Sequence, residues 1–133
     1  MLPLDARKPP GGLKLTAIDV GQGDAILVET SGGTRLLIDA GGTARGDFDV
    51  GERVVAPALW DLGIGRIDFL AVTHPDADHA GGAAAVAAGF EPSQIWLPTG
   101  ASGWPPRRAI TRLRQKARES GIPLKELAAG DVR

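Results

Sequence analysis

A chain of 133 residues with 43% hydrophobic residues and a formal net charge of −1 is typical of one soluble globular domain. The near-zero charge gives no overall attraction to nucleic acid or to anionic membranes. Because the sequence contains no cysteine, disulfides, cysteine-ligated zinc sites and thiol catalysis are excluded. No apolar run approaches the roughly 20 residues of a membrane-spanning helix. Residues 1–12 lack a signal-peptide pattern and are predicted to form a flexible lead.

Three strands are predicted in the first part of the chain from alternating apolar residues and glycine-rich turns. They are expected at residues 13–20, 25–30 and 35–39. The third contains Leu36, Leu37 and Ile38 in succession, so we expect it to be buried on both faces. A helix should then begin near Ala56, or kink there, because Pro57 has no amide donor.

The rest of the chain alternates predicted strands with predicted helices. Strands are expected at residues 67–73, 94–97 and 123–127, and helices at residues 81–88 and 106–120. The second helix has proline in its first turn and Gly121 just after its end, as helix boundaries often do. Hairpins followed by alternating helices and strands predict an α/β layered sandwich.

The densest group of metal-binding side chains is His74, Asp76, Asp78 and His79, directly after a predicted strand. Imidazole nitrogens and carboxylate oxygens bind divalent metals, and the carboxylates favour Mn²⁺ relative to an all-histidine site. If the segment is extended, residues 74, 76 and 78 share one side and His79 points away, so that one segment could serve two metal ions. The alternative is a polar loop whose aspartates cap the amides of a following helix.

Two further groups of acidic and polar residues are candidates for supporting a site. The run from Asp19 through Gln22 to Asp24 contains two glycines, which allow a close backbone approach, or it forms a plain turn in which the carboxylates accept nearby amides. Asp39 ends a buried strand, and its carboxylate is expected to contact a metal ligand and fix the orientation of that ligand without binding the metal itself. It could equally accept amides of the following loop, and these two roles are compatible.

The last predicted helix carries many cations on the side away from its apolar stripe. Arg107, Arg108 and Arg112 are therefore candidates for contacts with nucleic-acid phosphates. The alternative is an ordinary solvated helix face.

The residues around the metal loop resemble those of a known family. The loop resembles the HxHxDH motif of the metallo-β-lactamase superfamily, with Asp76 in place of the second histidine. Three runs, at residues 18–25, 49–57 and 73–79, resemble in order the signatures of the ComEC competence proteins. The resemblance implies the N-terminal half of an αββα sandwich over residues 13–133, with a mixed sheet and helices on one side. Since no histidine follows His79, the downstream ligands of the superfamily are expected to be absent.

The resemblance also implies a function for the longer parent protein. ComEC proteins are bacterial membrane channels that take up transforming DNA, and their lactamase-like domain is thought to degrade the other strand outside the cytoplasm. His74 and Asp76 would hold one metal ion, while Asp78 and His79 would serve a second. Asp78 would also position or deprotonate the attacking water. Asp39 would be a buried residue that supports the ligands without binding the metal.

Several outcomes remain open for this chain. The parent is expected to be a two-metal nuclease, with Mn²⁺ or Zn²⁺ as cofactor and with DNA and the channel portion as partners. A stand-alone hydrolase of small esters, thioesters or lactams would use the same loop. The chain alone is expected to be inactive, to bind metal weakly or not at all, and to be a monomer or a weak homodimer because its sheet leaves a face uncovered.

Overall fold

The sheet of the protein has six strands in sequence order, in a computed structural model that describes residues 9–43 and 46–131. The strands are β1 Lys14–Ala17, β2 Ile26–Glu29, β3 Arg35–Ile38, β4 Phe69–Ala71, β5 Gln94–Pro98 and β6 Leu124–Leu127. Each lies within, or one residue beyond, a predicted strand. Residues 1–8 of the predicted lead lie outside the described part of the chain.

The sheet is mixed, and its two halves follow from how the strands are connected. β1, β2 and β3 pair antiparallel through short turns. β3, β4, β5 and β6 pair parallel, and parallel neighbours need a longer crossover that a helix can fill. This arrangement confirms the predicted α/β architecture with a mixed sheet.

The helices are short except for the last one. They are α1 Ala56–Asp61, α2 Ala77–Ala80, α3 Ala83–Phe90 and α4 Arg108–Ser120, and a π-helical turn at Gly51–Val55 precedes α1. Pro57 lies in the first turn of α1, where a missing amide donor costs little. In α4, the stripe of Ile110, Leu113 and Ala117 is buried. Gly121 then ends α4 at a φ of 68°, as the sequence predicts.

The metal loop is not extended after Asp76, so the arrangement that an extended segment would give does not form. Helical winding begins inside the motif, because the Asp76 carbonyl accepts the amides of His79 at 3.1 Å and Ala80 at 2.9 Å. Asp78 and His79 therefore lie on the turn of α2, before the predicted helix start at Gly81. Residues 74, 76 and 78 do not share one side of an extended segment.

One face of the sheet forms the core with the helices. Leu27, Leu37, Leu70 and Ile95 are fully buried on this face, in one cluster with helix residues that include Leu59, Val86, Phe90 and Leu113. The opposite face carries Val28, Leu36, Phe69 and Trp96, which are only half-buried. The rings of Phe69 and Trp96 stack there at 4.4 Å. The expectation that β3 is buried on both faces is therefore wrong, since only its Leu37 side is fully covered.

Gly51 explains why the segment before α1 can lie so close to the helices behind the metal loop. A Cβ atom at Gly51 would overlap the carbonyl oxygen of Gly82 and lie 2.7 Å from its Cα. Only a residue without a side chain permits this backbone-to-backbone contact. The π-helical turn therefore packs directly against the junction of α2 and α3, and so supports the loop that precedes them.

Candidate metal centre

The candidate residues gather at one edge of the sheet, where β3 and β4 end. Asp39 directly follows β3, and the segment from Thr73 to His79 follows β4. Because these two strands pair in parallel, their carboxyl ends meet at the same edge, which is where ligands bind in open α/β sheets. The fold therefore brings together residues that are far apart in sequence.

Asp39 is the buried carboxylate of the candidate centre. It is 2% exposed and has a φ of 58°, a left-handed conformation that is uncommon outside glycine and asparagine. Its Oδ1 accepts the Thr73 amide at 2.7 Å, and its Oδ2 accepts the Thr73 hydroxyl at 2.6 Å. Oδ2 also lies 3.0 Å from Nδ1 of His79. Three hydrogen-bond donors hold this buried carboxylate in a single orientation. A carboxylate held in this way can fix the orientation of a metal-binding histidine.

The contact with Asp39 decides which nitrogen of His79 is free. A carboxylate only accepts hydrogen bonds, so Nδ1 of His79 carries the proton and donates it to Asp39. Nε2 is then the unprotonated nitrogen available to a metal. It lies 3.8 Å from Oδ2 of Asp78, so the free nitrogen and a carboxylate oxygen are side by side.

The same hydrogen bond to Asp39 raises the pKa of His79 above the ordinary value of 6.5; partial burial opposes this, and the charges of Asp39, Asp78 and Asp24 add to it. The imidazolium is thus favoured in the folded chain. Its stabilising contribution is present below the unfolded-state pKa and is lost as pH rises through the raised folded value. The added proton sits on Nε2, so metal binding should weaken as pH falls through the same value.

In an NMR pH titration of the metal-free chain, we expect the His79 ring signals to titrate above the ordinary histidine value. The Asp39→Asn variant should titrate at a lower pH, because a neutral amide attracts the imidazolium less. A wild-type midpoint at or below the ordinary value, with folding intact, would contradict the assigned role of Asp39.

His74 and Asp76 form a second pair of donors next to the first. Nδ1 of His74 lies 3.5 Å from Oδ2 of Asp76, and the rings of His74 and His79 have centroids 5.6 Å apart. His74 and Asp76 thus form one close pair and Asp78 and His79 another, and the two imidazole rings bring the pairs next to each other. Two imidazoles and two carboxylates are a donor set suited to Mn²⁺ or Zn²⁺, so the residues fit a divalent metal.

Among the described residues, the group of three whose ligand atoms all lie within 4.8 Å of one another is Asp24, Asp39 and His79. Asp24 is the exposed member, with Oδ2 3.6 Å from Nδ1 of His79. Asp39 is a poor metal ligand here because its oxygens already accept three donors. The free Nε2 of His79 and the Asp78 carboxylate next to it are therefore the candidate ligand atoms, with Asp39 hydrogen-bonded to Nδ1 and Asp24 beside it.

The turn from Asp19 to Asp24 contributes to the centre through its second glycine. Asp19 accepts the Gly21 amide at 3.0 Å, which is the plain-turn interpretation, and Gln22 is exposed with no side-chain hydrogen bond to any residue that the structure describes. Gly23, however, lies against Asp78: a Cβ atom at Gly23 would overlap the Asp78 carbonyl oxygen. The Asp24 amide donates to that same oxygen at 3.3 Å. The turn therefore supports the backbone that presents Asp78.

The three arginines predicted to contact nucleic acid separate in the structure. Nε of Arg107 lies 3.7 Å from Oδ1 of Asp76, at the metal loop. Arg112 instead pairs with Asp49 at 3.3 Å, and Arg108 is exposed. Sequence reasoning did not single out Thr73 as the partner of Asp39. Its only signal was a hydroxyl residue between a buried strand and the first histidine.

Comparison with known proteins agrees with this geometry. The profile of the metallo-beta-lactamase superfamily matches residues 18–132, which include the whole described centre. The chain belongs to the metallo-beta-lactamase superfamily. This superfamily is metal-dependent, in agreement with the donor set around His79.

Two curated proteins are similar to this member of the superfamily. ComE operon protein 3 of Bacillus subtilis (strain 168) is 34% identical over 126 residues, which cover 86% of this chain and 16% of that protein. Competence protein ComA of Neisseria gonorrhoeae is 36% identical over 78 residues, covering 59% of this chain and 10% of that protein. The predicted resemblance to competence proteins is thereby confirmed. The chain spans a small part of both relatives, and no helix among the described residues is both long and apolar enough to cross a membrane.

Proposed function

We propose that this chain supplies the metal-binding loop of a metal-dependent nuclease that acts in bacterial DNA uptake. The observation that carries the proposal is the meeting of His74, Asp76, Asp78 and His79 at one sheet edge, with His79 oriented by Asp39 at 3.0 Å. The similarity to two competence proteins favours DNA as the substrate. The degraded strand would be the one that is not taken up.

A bound pair of divalent ions would supply a nucleophile at neutral pH and stabilise the charge that develops on the phosphate. His74 and Asp76 would hold one ion, and Asp78 and His79 the other. Asp39 accepts the hydrogen bond from Nδ1–H of His79, so that in the neutral imidazole Nε2 is the nitrogen left to bind an ion. Asp78 is partly exposed beside Nε2, where it can also accept a proton from the attacking water.

The setting of the reaction is part of the same proposal. The full-length protein would lie in the bacterial membrane, with this region outside the cytoplasm and next to a DNA-conducting channel. The 133-residue chain alone would bind metal weakly and be inactive. It would be a monomer or a weak homodimer through the half-buried sheet face that carries Phe69 and Trp96.

Hydrolysis of small esters, thioesters or lactams is the second candidate, because the superfamily match by itself accommodates it. A substrate panel separates the two. The full-length product of the gene is incubated with duplex DNA, a thioester and a β-lactam, each with Mn²⁺, with Zn²⁺ and with EDTA. We expect metal-dependent DNA cleavage that EDTA abolishes. Turnover of a small acyl substrate without DNA cleavage would overturn the proposal in favour of the second candidate.

A further inference from the structure

Arg107 is the residue through which the cationic side of α4 reaches the metal loop. It stands immediately before α4, and its Nε lies 3.7 Å from Oδ1 of Asp76. The side chains of Arg107 and Asp76 are 57% and 49% exposed. A pair this exposed contributes little to stability, so folding alone does not account for the position of Arg107.

The other arginines at this end of α4 do not reach the metal loop. Nη2 of Arg112 binds Oδ2 of Asp49 at 3.3 Å, and Nη2 of Arg114 donates to the Ala101 carbonyl at 2.8 Å. Arg108 is exposed and has no hydrogen bond or ion pair with the residues that the structure describes. Within that part of the chain, Arg107, at the N-terminus of α4, is thus the arginine shown beside the candidate metal ligands.

Arg107 lies beside a group of carboxylates, and its guanidinium adds positive charge where an anionic substrate would bind. The four carboxylates of Asp24, Asp39, Asp76 and Asp78 repel an anionic substrate, and two divalent ions would only balance their charge, so that a guanidinium beside them supplies the net attraction for a phosphate. The 3.7 Å separation from Asp76 is longer than a hydrogen bond, so the forked donors of Arg107 are not committed to that carboxylate. Such a fork matches two oxygens of a phosphate.

We propose that Arg107 binds the phosphate of a phosphodiester substrate beside the metal centre, and that Arg108 and Arg112 do not. This inference rests on the proposed nuclease function and names the residue that makes the site selective for an anionic diester over a neutral ester. In the absence of substrate, Arg107 faces Asp76. A metal ion held by Asp76 would neutralise that carboxylate and would leave the guanidinium of Arg107 free to pair with the phosphate.

The first test uses the 133-residue chain labelled with ¹⁵N and the dinucleotide TpT, a phosphodiester, in the presence of Mg²⁺. The Nε–H signal of Arg107 should shift on addition of TpT, and the signals of Arg108 and Arg112 should not. Thymidine, which lacks the phosphate, should leave all three unchanged. Equal shifts at Arg108 or Arg112, or no shift at Arg107, would overturn the inference.

The second test separates this inference from the proposed function. In the full-length protein, Arg107→Ala should raise the KM for DNA about tenfold while kcat changes little, because one charge-assisted contact is lost. Arg107→Lys should recover part of this loss, and Arg108→Ala should match wild type. Mn²⁺ affinity should not fall in Arg107→Ala. If Arg107→Ala cleaves DNA with an unchanged KM, the role of Arg107 is refuted and the nuclease function is not. If TpT binds at Arg107 but the full-length protein does not cleave DNA, the nuclease function is refuted and the role of Arg107 is not.

Discussion

Asp78→Ala is expected to lower the rate of metal-dependent DNA hydrolysis by the full-length protein about a thousandfold, a magnitude typical of losing a general base. The carboxylate of Asp78 lies 3.8 Å from Nε2 of His79, and in the proposed mechanism it would serve both as a ligand and as the acceptor of the water proton. Removing it therefore affects metal binding and proton transfer together. Cleavage of a labelled duplex in the presence of Mn²⁺ measures the effect.

The fold should survive this substitution, so that lost activity reports on chemistry. The Asp78 side chain is 38% exposed and makes no hydrogen bond within the described chain, while its backbone carbonyl, which accepts the Asp24 amide, is retained. Asp61→Ala, an exposed carboxylate at the end of α1, is the matched control and should cleave at the wild-type rate. If Asp78→Ala cut DNA as fast as wild type, the two-metal account would be lost.

Gly23→Ala should destabilise the chain more than Gly100→Ala, a turn substitution at a similar φ. At a φ of 104°, any side chain costs about 1–2 kcal/mol. The added Cβ would also overlap the Asp78 carbonyl oxygen, and such overpacking costs about 1–3 kcal/mol more. The expected loss in the free energy of unfolding, measured by urea denaturation, is therefore about 3 kcal/mol. Mn²⁺ binding should weaken as well, because Asp78 is displaced.

Gly100→Ala is a close match for this experiment. Its φ is 92°, and a Cβ atom there would meet nothing within 4 Å. It should lose only the conformational cost, about 1–2 kcal/mol, with no change in Mn²⁺ binding. Equal losses in the two variants would show that contact with Asp78 is not what position 23 provides.

Periodicity predicted the elements of this fold well where packing and local preference agree. The stripe of Ile110, Leu113 and Ala117 correctly placed α4, and Gly121 ends it in a left-handed conformation. Prediction failed where a local hydrogen bond decided the conformation, as in the α2 turn closed by the Asp76 carbonyl. It also failed for β3, because three successive apolar residues do not reveal whether anything covers the second face.

The candidate metal ligands could be named from residue type and spacing, but their arrangement could not. The bond between Asp39 and His79 joins residues 40 positions apart, and the bonds from Thr73 to Asp39 span 34 positions. Both depend on the parallel pairing of β3 with β4, which no local pattern encodes. For the same reason, the sequence could not separate Arg107 from its neighbours on the same helix.

A divalent-metal site formed by His74, Asp76, Asp78 and His79 is the centre of the proposed function, and paramagnetic NMR tests it most directly. Small additions of Mn²⁺ to the ¹⁵N-labelled chain should first broaden the amide signals of residues 22–24 and 73–80, and the His79→Ala variant should lose this selectivity. Weak affinity suffices for the measurement. Broadening centred instead on the groove lined by Asp49, Glu52 and Glu119, or selective broadening that persists in His79→Ala, would contradict the account.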